Sequence, residues 1–339
     1  MRSLSVANMI VFLVFSVVTC ATTSAGKAPL WVTDRTVAFP TSEWLCVVES
    51  AGDRARADAA ALNALAQVFR VDIAAATATY QSYARTVTES ATQNSARFAQ
   101  EVNATSNVAG LVGIQKDFWT SPDGTVYVAA RMNRRECSAR YEALIRENET
   151  MIQHLTADAT RRPTTFEAYA SLSTAATIAA ATDNFQRILE VLDVSTTSRK
   201  SAYGSAAAVK LLAQNAAREI TINITVRGDE GGRITAALSQ FCTTRGFRTA
   251  AGGNNPYTLT GDYSAEERTG GEYRYVYYAL QIRMRDKSGM ELFAFSYADH
   301  EGHPAMNGAH DRALRAVESA IRSGMFAQNF EIYLGSLLR

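Results

Sequence analysis

The sequence predicts an α+β protein in which two small sheet-plus-helix modules are joined by a helical hairpin. Three observations predict this fold. Strand-like alternation marks both terminal thirds, helical apolar spacing dominates residues 138–192, and short turns rich in Gly or Pro separate the segments. The chain has 339 residues, of which 47% are hydrophobic and 20% charged, so two or three domains could each bury a core.

The first 19 residues have the order of a secretory signal peptide. Arg2 supplies a positive charge, an apolar run covers residues 9–18, and small polar residues follow. A ten-residue helix spans only about 15 Å of a roughly 30 Å hydrocarbon core, so this run is too short to cross a bilayer. Because the run ends at Cys20, the sequence favours a lipoprotein signal that is cut before Cys20, whose thiol then carries the lipid.

The alternative is cleavage after Ala25 by a peptidase that adds no lipid, since residues 23–25 form a small-x-small site. In the lipoprotein reading, residues 20–30 are a tether, and fatty acids such as palmitate anchor it with about 0.8 kcal/mol per buried methylene. Ala21 is not an acidic retention residue, which indicates the periplasmic face of the outer membrane.

Charge and cysteine content exclude some classes of protein. Lys and Arg number 34 against 33 Asp and Glu, so no basic excess is present to bind nucleic acid. The remaining cysteines, Cys46, Cys137 and Cys242, match neither a zinc site nor a redox pair. Buried small residues are the favoured interpretation, and a single disulfide stays open.

The N-terminal module is predicted over residues 31–137. Its elements, in order, are a strand at 44–48, a helix at 54–69 capped by Asp53, a strand at 71–87, a weaker helix at 92–102, and strands at 110–119 and 125–131. The last two strands flank Ser-Pro-Asp-Gly at 121–124, which is a strong turn signal and predicts a hairpin.

The helical hairpin is predicted over residues 138–201. One apolar stripe runs from Tyr141 to Leu155 at helical spacing, and Pro163 interrupts it. Thr164 and Glu167 form a capping box that starts the second helix. A polar linker at 195–201 then leads into the last module.

The C-terminal module is predicted over residues 202–339. Its elements are a helix at 203–217, a strand at 220–226, a helix ended by Gly246, strands at 257–263, 273–285 and 292–297, and a helix at 309–322. From the first strand onward, this order suits a helix layer packed on an antiparallel sheet.

A row of tyrosines is the candidate binding face. Tyr273, Tyr275 and Tyr277 alternate with the apolar row of one strand, so they lie on its opposite face. If helices cover only one side of the sheet, these rings face outward and suit a binding surface. The competing interpretation is cross-strand packing against Phe293, Phe295 and Tyr297.

Two further segments have weaker functional signals. His300, His303 and His310 with Asp299 are metal-type ligands, but nearby glycines and a proline favour solvated loop histidines over a metal site. Residues 228–232 superficially resemble a phosphate loop, although the acidic residues within them favour a tight turn. No nucleophile motif is present, so neither an enzyme nor a cofactor is expected.

The N-terminal module resembles a known family. Phe39-Pro40-Thr41-Ser42-Glu43-Trp44-Leu45 enters a strand, an Ala-rich helix follows at 54–69, an extended segment at 71–87, and a hairpin ends in Tyr127-Val128-Ala129-Ala130-Arg131. This pattern, over about residues 31–145, is similar to the Lpp-twenty lipoproteins and to the N-terminal domain of the flagellar assembly protein T family. The resemblance implies an envelope lipoprotein without catalytic residues, associated in some members with flagellar or surface assembly.

The sequence thus favours a non-enzymatic, lipid-anchored periplasmic protein that contacts envelope or flagellar proteins, with Cys20 as the acylation site. The alternative is a secreted or periplasmic protein that binds a small ligand or cell-wall glycan through the tyrosine face. A third reading is a metal-dependent hydrolase around His300 and His303. The sequence identifies no partner and no oligomeric state.

Overall fold

The computed structural model describes residues 27–69, Tyr83, 111–193, 201–253 and 255–338. Within these ranges the protein is α+β, as the sequence predicts. The signal segment with Cys20 and the helix predicted at 92–102 lie outside the described residues. So does the strand predicted at 71–87, except for Tyr83, whose backbone is helical, so the strand prediction is wrong at that residue.

The N-terminal region forms a three-stranded antiparallel sheet. Its elements are α1 (Leu30–Thr33), α2 (Arg35–Ala38), β1 (Trp44–Ala51), α3 (Arg54–Val68), β2 (Gln115–Thr120) and β3 (Val126–Asn133). The strand order is β1-β3-β2. The predicted hairpin is confirmed, since β2 pairs with β3 across the turn at 121–124. The predicted cap of α3 is also confirmed, because the Asp53 carboxylate accepts a hydrogen bond of 2.9 Å from the amide of Arg56.

Two long antiparallel helices follow, α4 (Arg134–Arg161) and α5 (Phe166–Leu192). The predicted N-cap at Thr164 is wrong by one residue. The Thr165 hydroxyl accepts from the amide of Ala168 at 3.2 Å. Thr164 instead has a φ of 65°. The chain reverses direction between the two helices, and Thr164 has a left-handed backbone conformation at this reversal. The next residue, Thr165, has the extended conformation of an N-cap residue.

The C-terminal region forms a five-stranded sheet. Its elements are α6 (Ala206–Glu219), β4 (Thr221–Arg227), α7 (Arg233–Thr244), β5 (Arg248–Ala250), β6 (Tyr257–Gly270), β7 (Tyr273–Asp286), β8 (Glu291–His303), α8 (Met306–Arg322) and α9 (Met325–Ser336). The strand order is β5-β4-β6-β7-β8. The antiparallel expectation is wrong at β4, which runs parallel to both β5 and β6. Helix α7 is the crossover that parallel neighbours require.

Burial alternates along β7 in the way that its sequence predicts. Five consecutive members of its inner row, each two positions apart in the strand, are at most 3% exposed: Val276, Tyr278, Leu280, Ile282 and Met284. Helix α8 contacts β7 and β8. On the outer face, by contrast, Gln281, Arg283 and Ser296 are exposed. Among the described residues, the sheet is therefore covered by helices on one side and open on the other.

Two large cores and one small cluster, made of Ala159, Ala168, Leu172 and Ala213, hold the described residues together. The first core joins α3, the three-stranded sheet, α4 and most of α5. The second core lies between the five-stranded sheet and its helices, and the beginning of α5 reaches it through Phe166 and Ala170. Within the described ranges, no helix is both long enough and apolar enough to cross a membrane. The domain boundaries drawn from the sequence stay predictions.

Candidate functional site

The candidate site lies on the open face at one end of the five-stranded sheet. Strand β4 pairs with β6 only as far as Asp262, whereas β6 pairs with β7 as far as Gly270. In this extension the register places Tyr277 opposite Glu266 and His300. Directly opposite residues share a face, so these side chains project together. The name tyrosine patch is used below for five residues: Tyr273, Tyr275, Tyr277, Arg268 and His300.

Tyr277 is at the centre of this patch. Its ring stacks on the His300 imidazole with centroids 5.0 Å apart and planes 12° apart. The Arg268 guanidinium lies 4.5 Å from the Tyr277 ring centroid and also binds the Glu266 carboxylate at 3.1 Å. That hydrogen bond raises the pKa of Arg268, which keeps the guanidinium charged. Contacts from both neighbouring strands thus orient the Tyr277 ring, and the residue as a whole remains 39% exposed.

Tyr275 covers two glycines. A Cβ added at Gly302 would lie 2.9 Å from the Tyr275 ring, and one added at Gly270 would lie 3.2 Å from it. The ring therefore lies flat across its neighbouring strands, an arrangement in which an aromatic residue shields backbone that glycine leaves bare. Tyr275 is half-buried as a result, while Tyr273 at the end of the strand is 47% exposed.

The alternative prediction, cross-strand packing of the three tyrosines against Phe293, Phe295 and Tyr297, is wrong. Phe293 and Phe295 lie on the inner face, where both rings contact Phe326 of α9. The Tyr297 ring packs on Tyr278, an inner-row residue of β7. Since successive strand residues alternate faces, none of the three reaches the tyrosine patch.

The histidines do not form a metal site. Strand β8 extends through His303, so the predicted loop is wrong, and two strand residues three apart point to opposite faces. His300 stacks in the tyrosine patch, while the His303 Nδ1 accepts from the amide of Ala305 at 3.0 Å. His310, on α8, lies 2.8 Å from the Glu267 carboxylate. Among the described residues, no three His, Cys, Asp or Glu are placed to hold a metal.

The segment at 228–232 is a turn, as the sequence favoured. The Asp229 carboxylate accepts hydrogen bonds from the amides of Ile234 and Thr235 at 3.2 and 2.8 Å, and from the Thr235 hydroxyl at 2.8 Å. These amides form the start of α7, where a phosphate would bind in a phosphate loop. The chain's own carboxylate fills that position.

The three cysteines of the described region form no disulfide with one another. Cys137 and Cys242 are buried, as expected, and Cys46 is half-buried. Burial raises the pKa of Cys46 to about 11 and that of Cys242 to about 12. Thiolate is the reactive form, so neither of these two thiols is suited to nucleophilic chemistry.

A cleft of about 610 Å³ between the start of α4 and the end of α5 was not foreseen. Arg134 lies in its wall and donates to three backbone carbonyls, those of Thr41, Val191 and Leu192, at 2.7–2.8 Å. The bonds to Val191 and Leu192 satisfy carbonyls at the C-terminus of α5, which is a structural role. The sequence offers no signal for this arrangement, because Arg134 is one of two adjacent arginines and its acceptors are backbone atoms.

No protein-family model matches the chain, and no curated protein matches it. A minor lipoprotein of Acinetobacter baumannii is 12% identical, with 34% of this chain and 92% of that one covered and a TM-score of 0.25. The lipoprotein GNA1162 of Neisseria meningitidis is 12% identical, with 32% and 98% covered and a TM-score of 0.24. The secreted protein HP1454 of Helicobacter pylori is 14% identical, with 83% and 98% covered and a TM-score of 0.37. At these scores the likenesses carry no argument, and the family resemblance stays a prediction.

Proposed function

We propose that this chain is a lipid-anchored envelope protein that binds another protein through the tyrosine patch and catalyses no reaction. The observation that carries this proposal is the open face of the five-stranded sheet, on which Tyr273 and Tyr277 are exposed beside Arg268. Tyrosine and arginine are enriched where proteins bind one another, because they combine large apolar contact area with a polar end.

The patch is also held in place before any partner arrives. The Tyr277 ring has His300 on one neighbouring strand and Arg268 on the other. A side chain that is already oriented loses little conformational entropy on binding, so more of its contact energy goes into affinity. The strands beneath it are part of a sheet packed on the second core, which makes the support rigid.

The membrane anchor in this proposal is Cys20, at the end of the signal segment. Acylation would attach the chain to the outer membrane with its folded part in the periplasm. The family resemblance adds envelope or flagellar proteins as the class of partner.

Anchoring is tested by labelling cells with a clickable palmitate analogue and comparing the wild type with Cys20→Ala. We expect label on the wild type alone, since only that protein carries the acceptor thiol at the predicted cleavage site. An unlabelled wild type whose mature N-terminus is Gly26 would overturn the anchor and leave a secreted protein.

Binding is tested with a photo-crosslinking amino acid placed at Tyr277 in living cells. Ile332 on α9 is the matched control position, because it is a 70% exposed apolar residue on another surface. We expect a discrete crosslinked protein from position 277, weakened when Tyr273→Ala is added, and none from position 332. Identical products from both positions, or no product from 277, would contradict the proposal.

A second candidate function is binding of a cell-wall glycan at the same surface. It is favoured by the Tyr275 ring, which lies flat across two glycines and offers an apolar face next to polar groups. Purified peptidoglycan should then retain the wild type and Ile332→Ala but release Tyr277→Ala. If peptidoglycan retains none of these proteins, the glycan reading is wrong.

A further inference from the structure

Strand β6 has an edge that no strand of the described ranges pairs with. Beyond Asp262, its pairing with β4 ends, while its pairing with β7 continues to Gly270. Residues 264–270 are all exposed, and they are called the open edge below. An exposed strand edge presents free N–H and C=O groups to any strand of suitable sequence.

We propose that the open edge binds the open edge of a second copy of this chain, in antiparallel fashion about a two-fold axis at Glu267. The two five-stranded sheets would then form one continuous sheet. Such a contact uses the same residues from both copies and closes on itself, so it yields a dimer and no larger assembly.

Charge selects this register. In an antiparallel pair with two-fold symmetry, opposite residues share a face, so the axis passes through one residue of each strand. An axis at Glu267 places Glu266 opposite Arg268 of the second copy, and the same pair occurs twice. An axis at Glu266 or at Arg268 would place identical charges opposite each other on the outer face.

The open edge would thus be specific rather than generally adhesive. Charged residues on an edge strand usually prevent pairing with other chains. Here Glu266 and Arg268 alternate in sign on one face and already bind each other within the chain, at 3.1 Å. In the dimer each can exchange this neighbour for its counterpart in the second copy.

Glu267 opposes its own copy on the inner face of the paired sheets. Within its own chain, its carboxylate lies 2.8 Å from the His310 imidazole of α8, which supplies a local hydrogen-bonding partner. The two carboxylates still repel, so removal of this charge is expected to strengthen the dimer. Glu267→Gln should therefore lower the dissociation constant relative to the wild type.

Contact through seven residues per copy is small compared with stable protein interfaces, so the dimer is expected to be weak in dilute solution. Attachment to a membrane would raise the effective concentration of the copies and favour pairing. Only this last step rests on the proposed anchor at Cys20, because the solution experiments below need no membrane.

The first experiment introduces a single cysteine into the full chain, as Glu267→Cys or as Thr269→Cys. A cysteine at 267 would face its own copy with about 5 Å between Cβ atoms, close to disulfide distance. A cysteine at 269 would face Ala265 of the second copy, four residues from its equivalent. Under mild oxidation with diamide we expect at least tenfold more covalent dimer from the first variant. Equal amounts, or no dimer from position 267, would overturn the proposal.

The second experiment reverses charges and measures the dissociation constant by analytical ultracentrifugation. Arg268→Glu and Glu266→Arg should each weaken the dimer at least tenfold, and the double variant should return to within about threefold of the wild type. A double variant as weak as the single ones, or a wild type that stays monomeric at millimolar concentration, would overturn the proposal. A wild type that stays monomeric but still gives a crosslinked product from position 277 would contradict the proposed dimer without contradicting the proposed function.

Discussion

The two sheets differ in whether the aromatic side chains on their outer faces are covered by another segment of the described chain. Each outer face carries aromatic residues and an arginine. In the three-stranded sheet, Phe39 from the preceding segment folds onto Trp44 and Arg131 and is only 7% exposed. The Arg131 guanidinium lies 4.4 Å from the Phe39 ring centroid and pairs with Asp117 at 3.1 Å. In the five-stranded sheet, no described segment returns over Tyr273 and Tyr277, and both stay exposed.

This comparison shows that an aromatic row on a strand is not in itself a sign of binding. Trp44 of the first sheet packs with Phe39 from a segment of the same chain, so this contact contributes to folding. Tyr273 and Tyr277 of the second sheet remain exposed, so their surface is available to a binding partner. The two sheets therefore differ in whether a described segment of the same chain packs on the aromatic side chains of the outer face. The following predictions test how complete that difference is.

The largest expected effect is that of Phe330→Ala in the second core. Phe330 is 2% exposed and its ring contacts Phe166, Phe241 and Phe293. Such a truncation should cost about 3–5 kcal/mol of unfolding free energy, since it removes buried area and leaves a cavity. Urea denaturation followed by far-UV circular dichroism measures it, with the exposed Ile332→Ala as the control, at under about 0.5 kcal/mol.

The same experiment tests how independent the two cores are. All three tryptophans, Trp31, Trp44 and Trp119, lie in the N-terminal region, so their fluorescence reports unfolding there. We expect Phe330→Ala to shift the circular dichroism transition more than the fluorescence transition. If both shift equally, the shared helix α5 couples the two cores into a single unfolding unit.

The fold was predictable from the sequence where local pattern and tertiary structure agree. Strand β7 alternates strictly, and its bounds come within one residue of the prediction. Strand β8 was predicted to end at Tyr297 but continues to His303. Its last residues include Gly302 and have poor strand propensity. Pairing with β7 keeps them in the strand conformation. This pairing cannot be recognised from the sequence of β8 alone.

The same limit applies to the candidate site. The outward tyrosines followed from alternation alone. Arg268 and Glu266 were missed because β6 was predicted to end at Tyr263, and the exposed remainder has no apolar alternation. The histidine pair was assigned to a loop for the same reason. Contributions from neighbouring strands depend on the register, which only the assembled sheet defines.

The second prediction compares the two outer faces directly. Phe39→Ala should cost about 3 kcal/mol, because it removes a buried ring that covers Trp44 and Arg131. Tyr277→Ala should cost less than about 0.5 kcal/mol, because much of its ring is already in water. Thermal unfolding of both variants measures the difference. A large loss of stability in Tyr277→Ala would show that its ring belongs to the folded structure rather than to a binding surface.

The third prediction compares the helix caps of the two regions. Asp229 accepts three hydrogen bonds at the start of α7, whereas Asp53 accepts one backbone hydrogen bond at the start of α3. We expect Asp229→Ala to cost about 1–2 kcal/mol and Asp53→Ala about 0.5–1 kcal/mol. Equal losses of unfolding free energy in urea denaturation would mean that water replaces the additional hydrogen bonds of Asp229 in the Asp229→Ala variant.

The smallest predicted effect concerns two glycines, Gly302 within β8 and Gly113 in the segment that leads into β2. Gly302→Ala should cost about 1 kcal/mol, because the new Cβ would press on the Tyr275 ring at 2.9 Å. Gly113→Ala should cost about as much for another reason, since Gly113 has a φ of 80°, where L-residues are strained. Thermal unfolding of the single and double variants separates the two causes.

In the Tyr275→Ala background, the cost of Gly302→Ala should disappear, because the obstructing ring is gone. In the Cys137→Ala background, the cost of Gly113→Ala should persist even though its neighbour, the Cys137 thiol, is removed, because backbone strain remains. A coupling near zero between Gly302 and Tyr275 would mean that the ring moves aside easily. The flat surface beneath the tyrosine patch would then be adaptable, and a partner would have to supply the order that the glycines and the ring now provide.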